Sequence, residues 1–156
     1  MASVITIDEA VLSLAAQKAI ETLIDKYDSL DMRATGQWAN ELSYRIDGNK
    51  VTIRGMAYTE QLVHGRGPSD RMPPVGDIYR WMLAKRSFTG EKTMGRAWAI
   101  AKKIQKEGTS YYPDGTDLLE VLEDPKFVDE FNKIVGDFLR ITIADELTRE
   151  IKNTLL

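Results

Sequence analysis

Apolar positions near the start of the chain recur at spacings of three and four. Leu12, Ala16, Ala19, Leu23 and Tyr27 fall on one helical face. Thr6 and Glu9 have the spacing of a T-x-x-E capping box, which predicts a helix from Asp8 to about Ser29. The alanines of AAQKA favour helix and let a neighbouring backbone come close. This stripe is expected to be core, or an interface with another subunit.

The period changes after DMRATGQWAN, broken at Gly36. From Glu41 to Ile46 the chain alternates, with Leu42, Tyr44 and Ile46 on one side. Asp47-Gly48-Asn49 is turn chemistry, and Val51 and Ile53 supply a return strand that ends at Gly55. A lone hairpin is marginal in water, so a third strand is expected. Ala57 to Val63 is the candidate, although its pattern also suits a helical turn.

His64 to Met72 reads as a glycine-rich loop, with Gly65 and Gly67 around Arg66 and Pro68 at the exit. Pro73-Pro74 starts a helix, the second proline being tolerated in the first turn. Val75, Ile78, Met82 and Trp81 are expected on its buried side, with Arg80, Lys85 and Arg86 outward. A polar linker, Ser87 to Thr93, leads to a second helix from Met94 to Glu107. Its stripe is Ala97, Ile100, Ala101 and Ile104, Lys102, Lys103 and Lys106 point elsewhere, and Gly108 is the stop. The pair is expected to be rigid, with the loop before it a mobile contact arm.

Thr109 to Gly115 holds adjacent Tyr111 and Tyr112, of which one is expected to be exposed as a contact residue. A tyrosine lid on the local core is the alternative. Asp117 to Glu123 predicts a short helix with Leu118, Leu119 and Leu122, and Asp124-Pro125 starts the last one. There Phe127, Phe131, Val135, Leu139, Ile143, Leu147, Ile151 and Leu155 recur every four residues. Such a row drifts by about 40° per step, roughly 280° in all. Either the helix breaks near Leu139–Ile143 or it touches different neighbours along its length, as a subunit in a multimer would.

Composition changes this picture mainly by exclusion. The chain has 156 residues, enough for one domain with a core. It has no cysteine and one histidine, which removes disulfides, thiol catalysis, zinc–thiolate sites and multi-histidine metal sites. No apolar run approaches a bilayer span, and MASVITIDEA lacks the basic and apolar regions of a secretory signal. The net charge of −3 is unevenly spread. Residues 64–106 hold 10 basic and 3 acidic residues, whereas 107–156 hold 5 basic and 12 acidic. Such a basic band fits solvated helix faces, contacts between copies, or a nucleic-acid surface.

Catalytic motifs are missing. The glycine loop lacks the Walker spacing and its Gly-Lys-Ser/Thr end. His64 has no nucleophile placed for it by motif. Asp114 with Asp117, or Glu123 with Asp124, would hold a cation only weakly, without an EF-hand pattern. No cofactor is expected.

Three pieces then line up: RATGQWANELSYRIDGNKVTIRG, AYTEQLVHGRGPSDRMPPVGDIYRWMLAKR and RAWAIAKKIQKEGT. Together they resemble the head–tail joining and tail-completion (neck) proteins of tailed bacteriophages, closest to those of Bacteroidetes-infecting, crAss-like phages. The likeness covers roughly residues 30–110, and HGRGP…MPPV and AIAKKIQKEGT are its most specific parts. It implies a structural virion protein without catalysis. Copies would form a ring in the connector or upper tail, among portal and tail proteins, around a DNA channel with no sequence-specific contact and no membrane. It would be made in the host cytoplasm.

The implied fold is α+β: a small antiparallel sheet, hairpin plus third strand, packed on helices, with a long C-terminal helical extension. One domain over 1–156 would comprise an N-terminal helix (1–30), a sheet and two-helix core (31–108) and the extension (109–156). By analogy with such rings, Arg66, Pro68 and Arg71 in the loop would meet adjacent subunits. Tyr111, Tyr112, Phe127, Phe131, Leu147 and Ile151 are the other expected contacts. Arg80, Lys85, Arg86, Lys102, Lys103 and Lys106 form the expected basic surface, which is also the basis of the competing reading, a nucleic-acid-binding regulatory domain.

Overall fold

The computed structural model describes residues 6–137. In chain order the elements are α1 (Glu9–Ser29), α2 (Gln37–Glu41), β1 (Ser43–Asp47), β2 (Lys50–Arg54), α3 (Thr59–His64), α4 (Val75–Ala84), α5 (Met94–Glu107) and a 3-10 turn (Glu120–Leu122). A further helix, α6, starts at residue 125 and is helical through 137. The class is α+β, with one small antiparallel sheet among helices. Leu139, Ile143, Leu147, Ile151 and Leu155 of the four-residue stripe lie outside the described residues.

The chain forms two compact units. Among the described residues, the first gathers 6–22, 43–54 and 122–137. Asp8 caps α1: its carboxylate accepts the Ala10 N–H at 3.0 Å, and its carbonyl accepts those of Val11 and Leu12. The expected Thr6–Glu9 box is replaced because Asp8 sits directly ahead of the first turn with a stronger acceptor. Leu12, Ala16 and Ala19 are buried, as the stripe predicted, and Ala15 beside them is buried as well.

The hairpin pairs Tyr44 with Ile53 and Ile46 with Val51 around a two-residue turn, Gly48-Asn49. Gly48 has φ +58° while Asn49 stays in the ordinary region, the sign pattern of a type II′ turn. Tyr44, Ile46, Val51 and Ile53 are half-buried, and the alternate positions are exposed. In α6, the Asp124 carboxylate accepts the Lys126 N–H at 2.9 Å, and Phe127 and Phe131 lie with rings 5.9 Å apart.

The second unit gathers 23–42 and 55–121. Leu23 and Tyr27, at the end of α1, are buried in it. The Tyr27 ring stacks on Trp38 of α2 at 4.7 Å. Trp38 is fully buried, and its indole Nε1–H donates to Thr59 Oγ1 at 2.8 Å. The Thr59 hydroxyl in turn donates to the Met56 carbonyl at 2.6 Å. A buried indole thus finds its partner, and Thr59 is fixed at the start of α3.

Helix α3 corrects the expected third strand over Ala57–Val63; among the described residues the sheet has two strands. Alternation across this stretch would put Thr59 and Gln61 on one face and Glu60 on the other, so neither face would be apolar. A helical turn instead brings Tyr58 and Leu62 together, four residues apart.

Helices α4 and α5 pack against each other. Met82 of α4 and Ala97 and Ala101 of α5 are fully buried, the alanines suiting close approach. Thr93 caps α5, its hydroxyl accepting the Arg96 N–H at 3.2 Å, and Gly108 ends it at φ +86°. Trp81, expected on the buried side, is 38% exposed and meets Phe88 edge-on at 5.8 Å.

Lys85 departs from its expected outward place on the basic surface. It is buried, its ammonium donating to the Asp31 carbonyl and lying 3.2 Å from the Asp31 carboxylate. Helix α4 ends at Ala84, and Lys85 takes an extended conformation, so its side chain no longer follows the helical progression.

Candidate functional site

The His64–Met72 loop is strapped to the end of α5 and the turn after it. The Arg66 N–H donates to Thr109 Oγ1 at 2.9 Å, and the Thr109 N–H returns to the Arg66 carbonyl at 2.8 Å. Further along, the Ser69 N–H donates to the Gln105 carbonyl at 3.0 Å, and the Gln105 amide donates to the Asp70 carbonyl at 2.9 Å. The expected mobile arm is therefore a fixed strap. Its glycines permit that closeness rather than movement. A Cβ on Gly65 would stand 2.5 Å from the Tyr112 nitrogen, and one on Gly108 2.5 Å from the Arg66 carbonyl oxygen. Both also have positive φ.

The expected contact residues are distributed along this strap. Pro68 and Arg71 are exposed. Arg66 is half-buried, its guanidinium donating to the Arg71 carbonyl at 2.9 Å. His64 is exposed at the end of α3. Of the two tyrosines, Tyr112 is 45% exposed and Tyr111 is half-buried, the division that their adjacency predicted. Phe127 and Phe131 are half-buried, and Leu147 and Ile151 lie outside the described residues.

Behind the strap, α3, α4, α5 and the 108–112 turn enclose an apolar groove of about 650 Å³. Leu62, Ile78, Ile100 and Ile104 line it with the rings of Tyr58, Trp81 and Tyr111, and Lys103 and Glu107 stand at 3.9 Å from each other on its border. A space of this size suits a bulky apolar group. Burial raises the pKa of the Tyr58 and Tyr111 phenols, with nearby Glu41 and Asp31 respectively adding to it. They remain neutral hydrogen-bonding groups. Reading α3 as a strand hid this groove, since Tyr58, Gln61 and Leu62, which line it together, share a face on a helix but not on a strand; their i, i+3, i+4 spacing was the available signal.

The basic surface is smaller than its composition suggests. Besides Lys85, Arg80 pairs with Asp77, and the Lys92 ammonium donates to the Leu83 and Lys85 carbonyls at the end of α4. Arg86, Arg96, Lys102 and Lys106 are exposed, and among the described residues they enter no ion pair. Exposed apolar side chains stand on the same two helices: Trp81 and Leu83 on α4, Met94 and Trp98 on α5.

Among the described residues, no group of three or more His, Asp or Glu is placed to hold a metal ion, and no helix is long and apolar enough to cross a membrane. No family model, curated protein or solved structure matches the chain.

Proposed function

We propose that the chain is a structural subunit of the head-to-tail connector or upper tail of a tailed phage, one of several copies in a ring that joins portal and tail components around the DNA channel. The observation that carries this reading is the surface of α4 and α5. Met94 and Trp98 are exposed on one face of α5, with the Lys102 ammonium 5.9 Å from the Trp98 ring centroid. Trp81 and Leu83 are exposed on either side of buried Met82 in α4, and Arg86 and Arg96 are exposed nearby in sequence. Exposed aromatic, methionine and arginine side chains together are the composition of contact surfaces. The strapped loop supports the same reading, because a surface held rigid loses little entropy when it is covered.

The function is tested by sedimentation of the purified protein across concentration and by its presence in purified particles. Concentration-dependent association and a fixed copy number per particle are the expected results. A strict monomer at high concentration that is absent from particles ends this reading. The nucleic-acid alternative loses Lys85 to burial and Lys92 to helix carbonyls, and we place it second. It requires steeply salt-dependent binding, so a filter assay showing none at low salt removes it.

A further inference from the structure

Helix α5 has two sides besides its buried one. Ile100 and Ile104 line the groove. Trp98, Lys102 and Lys106, each four residues from the next, point away from the buried Ala97 and Ala101. Trp98 is 52% exposed and Met94, one turn earlier, 53%. The Lys102 ammonium lies 5.9 Å from the Trp98 ring centroid. This face is apolar and cationic at once.

The same compact unit carries the opposite combination. No basic residue occurs between Lys106 and Lys126. In that stretch Tyr112 and Leu119 are 45% and 43% exposed. Asp114 and Glu120 are exposed carboxylates that, among the described residues, enter no ion pair. Asp117 lies between them but is taken by Lys26 at 2.6 Å.

We infer that the Trp98–Lys102–Lys106 face of one copy docks onto the Tyr112–Glu120 stretch of a second copy of this chain. The aromatic and aliphatic side chains supply the area removed from water, and the opposite charges set the register. Two different patches meeting in this way make a head-to-tail contact, which closes into a ring when the rotation permits. The inference rests on the ring-subunit reading and adds the surfaces that meet. Protein is favoured over nucleic acid as the occupant because Met94 and Trp98 beside the lysines call for an apolar partner of opposite charge, and Tyr112 and Leu119 beside Asp114 and Glu120 supply both.

The test uses three full-length variants, each checked for native helix content: Lys102→Glu with Lys106→Glu, Asp114→Lys with Glu120→Lys, and all four changes together. Sedimentation velocity at low and high salt reads self-association. Each double variant should weaken association on the order of tenfold. The fourfold variant, with attraction restored in reverse, should recover it, and salt should weaken both it and the unchanged protein. If the unchanged protein associates and both double variants associate equally well, this inference falls and the ring reading stands. If the unchanged protein never associates, both fall. Loss of oligonucleotide binding in the Lys102/Lys106 variant, with association intact, would assign the face to nucleic acid and overturn the inference.

Discussion

Lys85 holds Asp31 twice: its ammonium donates to the Asp31 carbonyl and stands 3.2 Å from the Asp31 carboxylate. Asp31 needs the help, since it is a non-glycine residue at φ +53°. The Lys85 side chain is 10% exposed and the Asp31 side chain 69%. The carboxylate therefore contributes little through a screened charge pair, and the buried bond to the carbonyl dominates. Lys85→Ala should destabilise the protein by about 1–3 kcal/mol, the cost of losing a buried hydrogen bond to a charged donor. Asp31→Asn should cost clearly less. Urea midpoints of the two variants check the order.

Acid should loosen the same unit. Hydrogen bonding by Arg33 lowers the Asp28 pKa, hydrogen bonds from Ser87 and then Lys85 lower that of Asp31, and a hydrogen bond from Lys26 lowers that of Asp117. Carboxylates depressed in the folded state add stability that is complete above their unfolded value of 3.8 and is lost as pH falls below it toward the folded values. All three are exposed, so the loss should be gradual. A melting temperature that holds from neutral pH down to the ordinary carboxylate range, then declines, is the expected profile. High salt should flatten it.

What the sequence made legible was local. The α1 stripe, the hairpin register, the span of α5 and its Gly108 stop all follow from periodicity and from residues with restricted backbones. What it hid depends on partners far along the chain. Thr59 starts a helix because Trp38 meets it from 21 positions away. Lys85 turns inward because the carbonyl of Asp31 waits 54 positions away. The glycine loop has the composition of a mobile segment, and only its bonds to Gln105 and Thr109 make it a strap. The groove was illegible for the same reason, being assembled from α3, α4, α5 and a turn.

The strap predicts unequal glycine substitutions. At Gly108, alanine meets both a positive φ and a backbone oxygen at 2.5 Å that has no flexible end to move. Gly108→Ala should cost more than the roughly 1–2 kcal/mol of the left-handed conformation alone. At Gly95, in the first turn of α5, a Cβ meets nothing within 4 Å. Gly95→Ala should stabilise by up to about 1 kcal/mol through helix propensity. Thermal unfolding of the two variants should move in opposite directions.

The two tryptophans of the α4–α5 surface separate folding from assembly. Trp81 lines the groove and meets Phe88 edge-on, so part of its ring is committed to its own unit. Trp81→Ala should lower stability by about 1 kcal/mol or more from the lost aromatic pair and its burial. Trp98 is 52% exposed, and the Lys102 ammonium lies 5.9 Å from its ring centroid. Trp98→Ala should leave stability within about 0.5 kcal/mol. If Trp98 anchors a contact between copies, the same change should weaken association by about 2 kcal/mol, as truncation of a central aromatic does. Measuring unfolding and sedimentation on the same two variants makes the distinction, because a merely solvated Trp98 would leave both measurements unchanged.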